Sequence, residues 1–437
     1  MDTKIPEASD LPSLLHLDIE NASEGLQTGR FTSVDLVKAY LARIKEVSEF
    51  KAVLQVNPDA LDVAYQLDEE RVRSRTRGPL HGIPILVKDN IATKDLLDVS
   101  AGSYAPLGAK PANESSTISK LREVGVIILG KTNLSEWANF RGLEISSGWS
   151  PKGGQTLGTY YPNSSPNGSS SGSAVAASLG LSTAAIGTET WGSIVLPAEY
   201  NNVVGFKPSR GLIGTDGTIP ISSRQDVIGT LTRTVRDAAY LLSKMAGNSP
   251  APIEASFESA LETMRSAGAK VVKNADFPKV EDFKKLGREV KNIVRSSEFK
   301  RDIAHYLQTL QTNPNDLHSA EDIIEFTKSF PTGDYPEKDV GKFLWSQAEG
   351  VDVNSGKYKK MAEQEQFFGG EGGILGAMEK YNLDVLVIPA NQGIANDVAA
   401  GMGFPVISVP LGFCPENTPV ELNEDKPNLV IVAPGMP

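Results

Sequence analysis

NGSSSGSAVAASLGLSTAAIGTETWGSIVLP, residues 167–197, is the stretch from which the rest of the chain is read. Gly168 and Gly172 bracket Ser169, Ser170 and Ser171, and Ser173 follows. A flexible linker would end in polar sequence. Here the serines run straight into Ala174, Val175, Ala176, Ala177 and Leu179, which suit a tightly packed buried helix over 173–183. Glycines let a backbone approach a ligand closely, and a helix start offers free N–H groups. A short apolar strand is expected at 184–187. It leads into Gly187-Thr-Glu-Thr-Trp-Gly-Ser193-Ile, a turn that precedes Ile194-Val195-Leu196-Pro197. A tight turn at a strand end can aim several backbone N–H groups to one side, as stabilisation of a developing oxyanion requires. An ordinary polar turn would look the same in isolation.

Outward from this segment the pattern is α/β. Amphipathic helices are expected at 11–27 and 33–48, the second capped at Thr32-Ser33, and a charged helix at 59–77. Ile83-Pro-Ile-Leu-Val87 reads as a buried strand that ends in Lys88-Asp89-Asn90. A helix near 115–124 then leads to the buried strand Val126-Ile-Ile-Leu129. This β-α-β rhythm predicts a mostly parallel central sheet covered by helices on both faces. Residues 142–172 are rich in Gly, Ser, Asn and Pro and read as a long loop, which in a compact domain is usually functional. Further strands are expected at 203–207, 384–389 and 405–410, and helices at 233–246 and 254–267. The stretch 255–345 reads as mostly helical and charged. The whole, 1–437, reads as a single domain: N-terminal helices over 1–80, a core over 81–245, a helical cover over 250–345, and a C-terminal part of the core over 380–437.

Competing motif readings fit less well. Residues 168–172 satisfy G-x-S-x-G with Ser170 at the nucleophile position, but a nucleophile elbow needs a strand directly before it. Tyr161-Pro-Asn-Ser-Ser-Pro-Asn167 has two prolines and no apolar run. No Gly-Lys-Ser/Thr follows, so a phosphate-binding loop is a poor fit. Lys88 stands at the end of a buried strand. Lysines there usually snorkel or pair, but a desolvated one has a lowered pKa and can serve as a base.

Composition narrows the chemistry. Hydrophobic residues make up 40% and charged residues 22%, as in ordinary globular proteins. The net charge of −11 repels phosphate backbones, so nucleic acid is not an expected partner. Cys414 is the single cysteine, which excludes an intrachain disulfide and fits a reducing, cytoplasmic setting. The N-terminal twenty residues lack the apolar core of a secretory signal. No run of 18 apolar residues suggests a membrane span. His16, His81, His305 and His318 include no i, i+4 pair, so no metal is expected, and any hydrolytic base is expected to be something other than histidine.

Taken together, these stretches resemble the amidase signature family, whose members carry a GGSSGGS-like stretch and a GT(D/E)xGSI segment at a fixed gap. Ser169 and Ser193 are 24 residues apart, which matches that gap. HGIPILVKDN (81–90) resembles the family's lysine segment. SAGSYAP (100–106), LREVGVIILGKTNLSEWANFRG (121–142), NNVVGFKPSRGLI (201–213) and DVIGTLTRTVRDAA (226–239) are similar to further segments. SEWANFRG and GTETxGSIV resemble most the peptide-amidase-like branch.

The resemblance implies a Ser–cis-Ser–Lys triad with Ser193 as nucleophile, Ser169 bridging through a cis peptide bond, and Lys88 as base. It implies an oxyanion hole from the N–H groups of Thr190, Trp191, Gly192 and Ser193, substrate contacts at Gly168 and Ser170, and no metal or cofactor. The substrate would be a carboxamide, either a small molecule or a C-terminal peptide amide. No membrane partner is implied and no oligomeric state is set. Other readings under the same resemblance are the amidase subunit of a tRNA-dependent amidotransferase and an amidase-like scaffold with impaired catalysis. Trp191 occupies a position that is commonly Gly or Asp. Relatives also carry more sequence after the helix near 245 and at the C-terminus, so a sheet short of one or two strands is expected.

Overall fold

Runs of apolar residues with no polar alternation bury both faces of a strand, and the chain sets four such runs at the centre of one sheet. The computed structural model of the protein describes residues 11–246, 272, 275–286, 288–386, 393–409, 413–414, 416–423 and 428–437. The sheet has seven strands: β1 (Val53–Val56), β2 (Pro84–Lys88), β3 (Ile127–Thr132), β4 (Ala184–Glu189), β5 (Val204–Lys207), β6 (Val227–Thr232) and β7 (Val406–Ser408). Their spatial order is β1-β3-β2-β4-β6-β5-β7. Every residue of β2, β3, β4 and β6 is buried.

Helices α1 (Ile19–Thr28), α2 (Ser33–Glu46), α3 (Ala60–Val72), α4 (Ser116–Glu123), α5 (Ser171–Ser178), α6 (Val195–Tyr200) and α7 (Val235–Met245) flank the sheet. They are followed by α8 (Arg288–Gln308), α9 (Ala320–Ser329), α10 (Gly341–Glu349), α11 (Gly356–Gly369) and α12 (Gly393–Met402). The start of α2 is set by a capping box: the Thr32 hydroxyl accepts from Asp35 N–H, and the Asp35 carboxylate accepts from Thr32 N–H. Its apolar face (Val34, Leu36, Val37, Tyr40) joins the main core with Ile85, Leu86, Val87, Ile127, Ile128, Ala184 and Ile186.

The expected α/β class with a mixed sheet holds, but parallel pairing is more restricted than a mostly parallel sheet. Only β2–β3 and β2–β4 are parallel. The other four described pairings are antiparallel. The connections explain this. Parallel neighbours need a crossover, which α4 supplies between β2 and β3, with α5 between β3 and β4. No helix lies between β5 and β6, so these two strands pair in opposite directions. The strand expected at 384–389 is not formed over 384–386, and 387–389 lie outside the described residues, as does the helix expected at 254–267. Among the described residues no helix is long and apolar enough to cross a membrane.

Parallel pairing of β2 and β4 decides where the site lies, because both strands then end on the same edge of the sheet. The N-terminus of α5 is pressed onto this edge. A Cβ on Gly172 would come within 2.3 Å of the Ala52 carbonyl oxygen and 2.6 Å of the Asn133 carbonyl oxygen, so only glycine fits this approach.

One buried cation ties the helical part that follows to the segment after β3. Arg141, fully buried, pairs with the Glu136 carboxylate and donates to the carbonyls of Gly333, Lys338 and Asp339. Removing one partner of such a pair leaves a buried charge uncompensated. Arg141→Ala is therefore expected to lower the unfolding free energy by about 3–5 kcal/mol. A Glu136→Gln change in that background should restore part of the loss. Urea titrations of the three proteins check both effects.

Candidate active site

The edge formed by β2 and β4 gathers an unusual set of polar groups. Lys88, the last residue of β2, is fully buried. Its ammonium nitrogen lies 2.7 Å from Ser169 Oγ, 3.0 Å from Ser170 Oγ and 3.1 Å from the Thr188 carbonyl oxygen. Among the described residues no carboxylate comes within ion-pair distance of it. Burial pushes the Lys88 pKa down to about 7, against the upward pull of Asp226 and Glu189. A large share of the lysine is therefore neutral near pH 7, where a surface lysine is almost wholly charged.

The serine loop is built to meet this lysine. The Gly168–Ser169 peptide bond is cis. The Ser169 carbonyl accepts from Ser135 N–H at 3.2 Å, and Gly172 N–H donates to the Asn133 carbonyl at 3.0 Å. Inside α5, Ser173 Oγ lies 2.7 Å from Thr132 Oγ1 and donates to the Ile186 carbonyl at 3.1 Å, which stitches the helix to β3 and β4. Ser170 is fully buried. Its hydroxyl donates to the Thr188 carbonyl at 3.0 Å and accepts from Lys88 and from Thr188 N–H. Its hydrogen-bonding capacity is spent on the lysine and β4. Gly168 is half-buried, and a Cβ there would meet Ser135 Oγ at 2.5 Å.

Ser193 lies in the turn after β4 and is 7% exposed, whereas Ser169 is fully buried. The two loops are joined by Ser170 N–H donating to the Ser193 carbonyl at 3.0 Å. The Ser193 hydroxyl makes one long contact, 3.5 Å to the Trp191 carbonyl, and shares no hydrogen bond with Ser169 among the described residues. Its hydroxyl is thus held loosely beside the Lys88–Ser169 pair. Among the described residues no acceptor engages the backbone N–H groups of Thr190, Trp191, Gly192 and Ser193. Gly192 has φ +70°, which a glycine adopts without strain and which bends the turn.

Two buried acids shape this turn. The Glu189 carboxylate accepts from Ile194 N–H at 2.8 Å and Val195 N–H at 3.1 Å, so it caps the start of α6. Asp226 accepts from the Thr190 hydroxyl at 2.6 Å and from the N–H groups of Ile221 and Ser222 at 2.8 and 3.0 Å. Burial raises the Asp226 pKa to about 7 despite these donors. Sequence reasoning misses both acids as members of the site. The usable signal is an acid at the end of a buried strand, Glu189 closing AAIGTE and Asp226 directly before VIGTLT, because acids are seldom fully buried unless paired. Among the described residues no three His, Cys, Asp or Glu side chains converge as a metal site. Beside the turn, Trp191 lines a cleft together with Phe283, Leu286, Arg295, Met361 and Phe368.

The amidase family model matches residues 35–274. A protein of Arthroderma benhamiae named "Putative amidase" is 36% identical over 497 residues, covering 99% of this chain and 83% of that one. The X-ray structure of native peptide amidase from Stenotrophomonas maltophilia superposes with a TM-score of 0.80 at 33% identity, covering 94% of this chain and 92% of that one. A glutamyl-tRNA(Gln) amidotransferase subunit of Chloroflexus aurantiacus is 38% identical over 242 residues, covering 55% of this chain and 48% of that one.

The Asp226 contacts yield a direct test. In Asp226→Asn the amide can still accept from Thr190, but its NH₂ group faces the Ile221 and Ser222 N–H groups, which leaves buried donors unpaired. The variant is expected to lose about 1–3 kcal/mol of stability. Chemical denaturation measures the loss.

Proposed function

Because this chain belongs to the amidase signature family and is a hydrolase acting on amide C–N bonds, we propose that Ser193 is the nucleophile, Ser169 the proton bridge and Lys88 the base. The observation that carries this reading is the buried, carboxylate-free Lys88 ammonium group 2.7 Å from Ser169 Oγ. Neutral Lys88 accepts the Ser169 proton as Ser169 accepts the Ser193 proton, and Ser193 Oγ attacks the amide carbonyl carbon. The oxyanion is held by the free N–H groups of Thr190, Trp191, Gly192 and Ser193. The tetrahedral intermediate collapses with cleavage of the C–N bond. Ser169 donates a proton to the departing amine and regains one from Lys88. Water then attacks the acyl-enzyme, with the same pair removing its proton, and releases the acid and free Ser193.

The Ser193 hydroxyl has only a long 3.5 Å contact with the Trp191 carbonyl, which suits a nucleophile whose hydrogen bonds tighten when substrate is bound. The substrate is a carboxamide, and a C-terminal peptide amide fits the full-length likeness to peptide amidase. The likeness to the amidotransferase protein covers about half of each chain, which favours a free-standing amidase.

A fluorophosphonate should label Ser193, located by mass spectrometry of the adduct, and Ser193→Ala should abolish labelling. An adduct on another residue would overturn the assignment. Lys88→Ala is expected to lower kcat by about 10²–10⁴-fold. Because the lysine must be neutral to accept a proton, kcat/KM should rise with pH through about 7 and then level off. A profile that falls across this range would remove Lys88 as the base.

A further inference from the structure

Residues 221–226 form a loop that faces two ways. Toward the reacting centre, Asp226 accepts from the hydroxyl of Thr190, in the turn that carries Ser193, at 2.6 Å. The loop is closed on itself. Gln225 N–H and Asp226 N–H donate to the Ser222 carbonyl at 3.0 and 2.8 Å, and the Asp226 carboxylate accepts from Ile221 N–H and Ser222 N–H. Away from the centre, α8 clasps the loop with two acids. Glu298, fully buried, accepts from the Ser222 hydroxyl, from Arg224 Nε at 2.8 Å and from the Tyr358 hydroxyl at 2.5 Å. Asp302, four residues later on the same helix face, accepts from Ser223 N–H at 2.7 Å. A carboxylate without water is costly to bury, and the three donors that converge on Glu298 offset that cost and fix its place.

We propose that Glu298 is a positioning residue for the amidase reaction: through Ser222 and Asp226 it fixes Thr190, and with Thr190 the N–H groups that hold the oxyanion. The proposal rests on the Ser193 amidase reading. Ser222 is the shared link, because its hydroxyl donates to Glu298 while its N–H donates to Asp226. A shift of Ser222 therefore moves the acceptor that holds Thr190, and buried hydrogen-bond networks of this kind respond as a unit. Oxyanion stabilisation needs donors about 3 Å from the point where charge develops. Displacing the turn thus costs rate before it costs anything else.

The second-order rate constant for fluorophosphonate labelling reads this turn without a known substrate, since the phosphoryl oxygen takes the oxyanion position. Glu298→Gln is expected to lower that constant by about tenfold, with the final extent of labelling unchanged. Ser222→Ala, which removes the hydroxyl and keeps the backbone, should give a similar loss, and it stands in for Glu298→Gln if that variant does not fold by circular dichroism. In Thr190→Val protein Asp226 has no hydroxyl to hold. There Glu298→Gln should add less than about a twofold effect, because residues acting as one unit are not additive. Unchanged rate constants in both variants, or the full loss repeated on top of Thr190→Val, overturns the proposal. So does a lower extent of labelling at an unchanged rate constant, which marks a residue needed only for folding. Mass spectrometry of the adduct tells the two readings apart. An adduct on Ser193 with undiminished rates in the variants leaves the nucleophile standing and removes the role of Glu298. An adduct on another residue removes the Ser193 assignment and this proposal with it.

Discussion

A cation buried without a counter-ion is the constraint around which this molecule is arranged. Lys88 has given up water for two hydroxyls and one carbonyl, and those dipoles offset only part of the lost hydration of an ammonium ion. The shortfall appears as a pKa near 7. A carboxylate at ion-pair distance would restore the charge and hold the lysine as a structural cation. Asp226 and Glu189 are near enough to pull the pKa back up, but their hydrogen-bonding capacity is directed at Thr190, Ile221, Ser222, Ile194 and Val195. The acids therefore hold the turn and leave the lysine without an ion-pair partner among the described residues.

Placing two hydroxyls on one buried nitrogen demands precision that a loop alone does not have. The parallel run of β2 beside β4 brings Lys88 and Thr188 to one edge. The start of α5 is wedged against Ala52 and Asn133 at Gly172 and stitched to β3 and β4 through Ser173. The antiparallel strands β6, β5 and β7 extend the sheet on the other side of β4. Asp226 stands immediately before β6, and from there it reaches the turn that carries Ser193.

Much of the core is legible in the sequence because its signals are local. The helices at 33–46 and 116–123 and the strands at 127–132 and 204–207 follow from periodicity and short apolar runs. Strand direction is not legible past residue 200, because pairing is set by how the chain returns across the sheet, and residues 208–226 carry no periodic signal for that path. At the site, Lys88, Ser169 and Ser193 can be read from motif and spacing. Membership of the serine loop makes Ser170 look like a substrate contact. In the structure the Ser170 hydroxyl bonds Lys88 and the Thr188 backbone, a set of partners that motif spacing does not reveal.

What sequence motifs leave least legible is the cleft, and the reason is physical. Lys88, Ser169 and Ser193 come from three short segments at one edge of the sheet. The cleft wall instead includes Trp191, Phe283, Leu286, Arg295, Met361 and Phe368, which carry no shared motif and lie far apart in the chain. Two arginines, Arg141 fully buried and Arg224 partly buried, tie distant stretches of the chain together. Arg141 ties the segment around 136–150 to residues 333–339. Arg224 joins the loop before Asp226 to Glu298 on α8, Glu365 on α11 and the Gly401 carbonyl on α12. Arg224 is two residues from Asp226, so the cation that ties α8, α11 and α12 to this loop and the acid that accepts from Thr190 in the turn carrying Ser193 share one stretch of backbone.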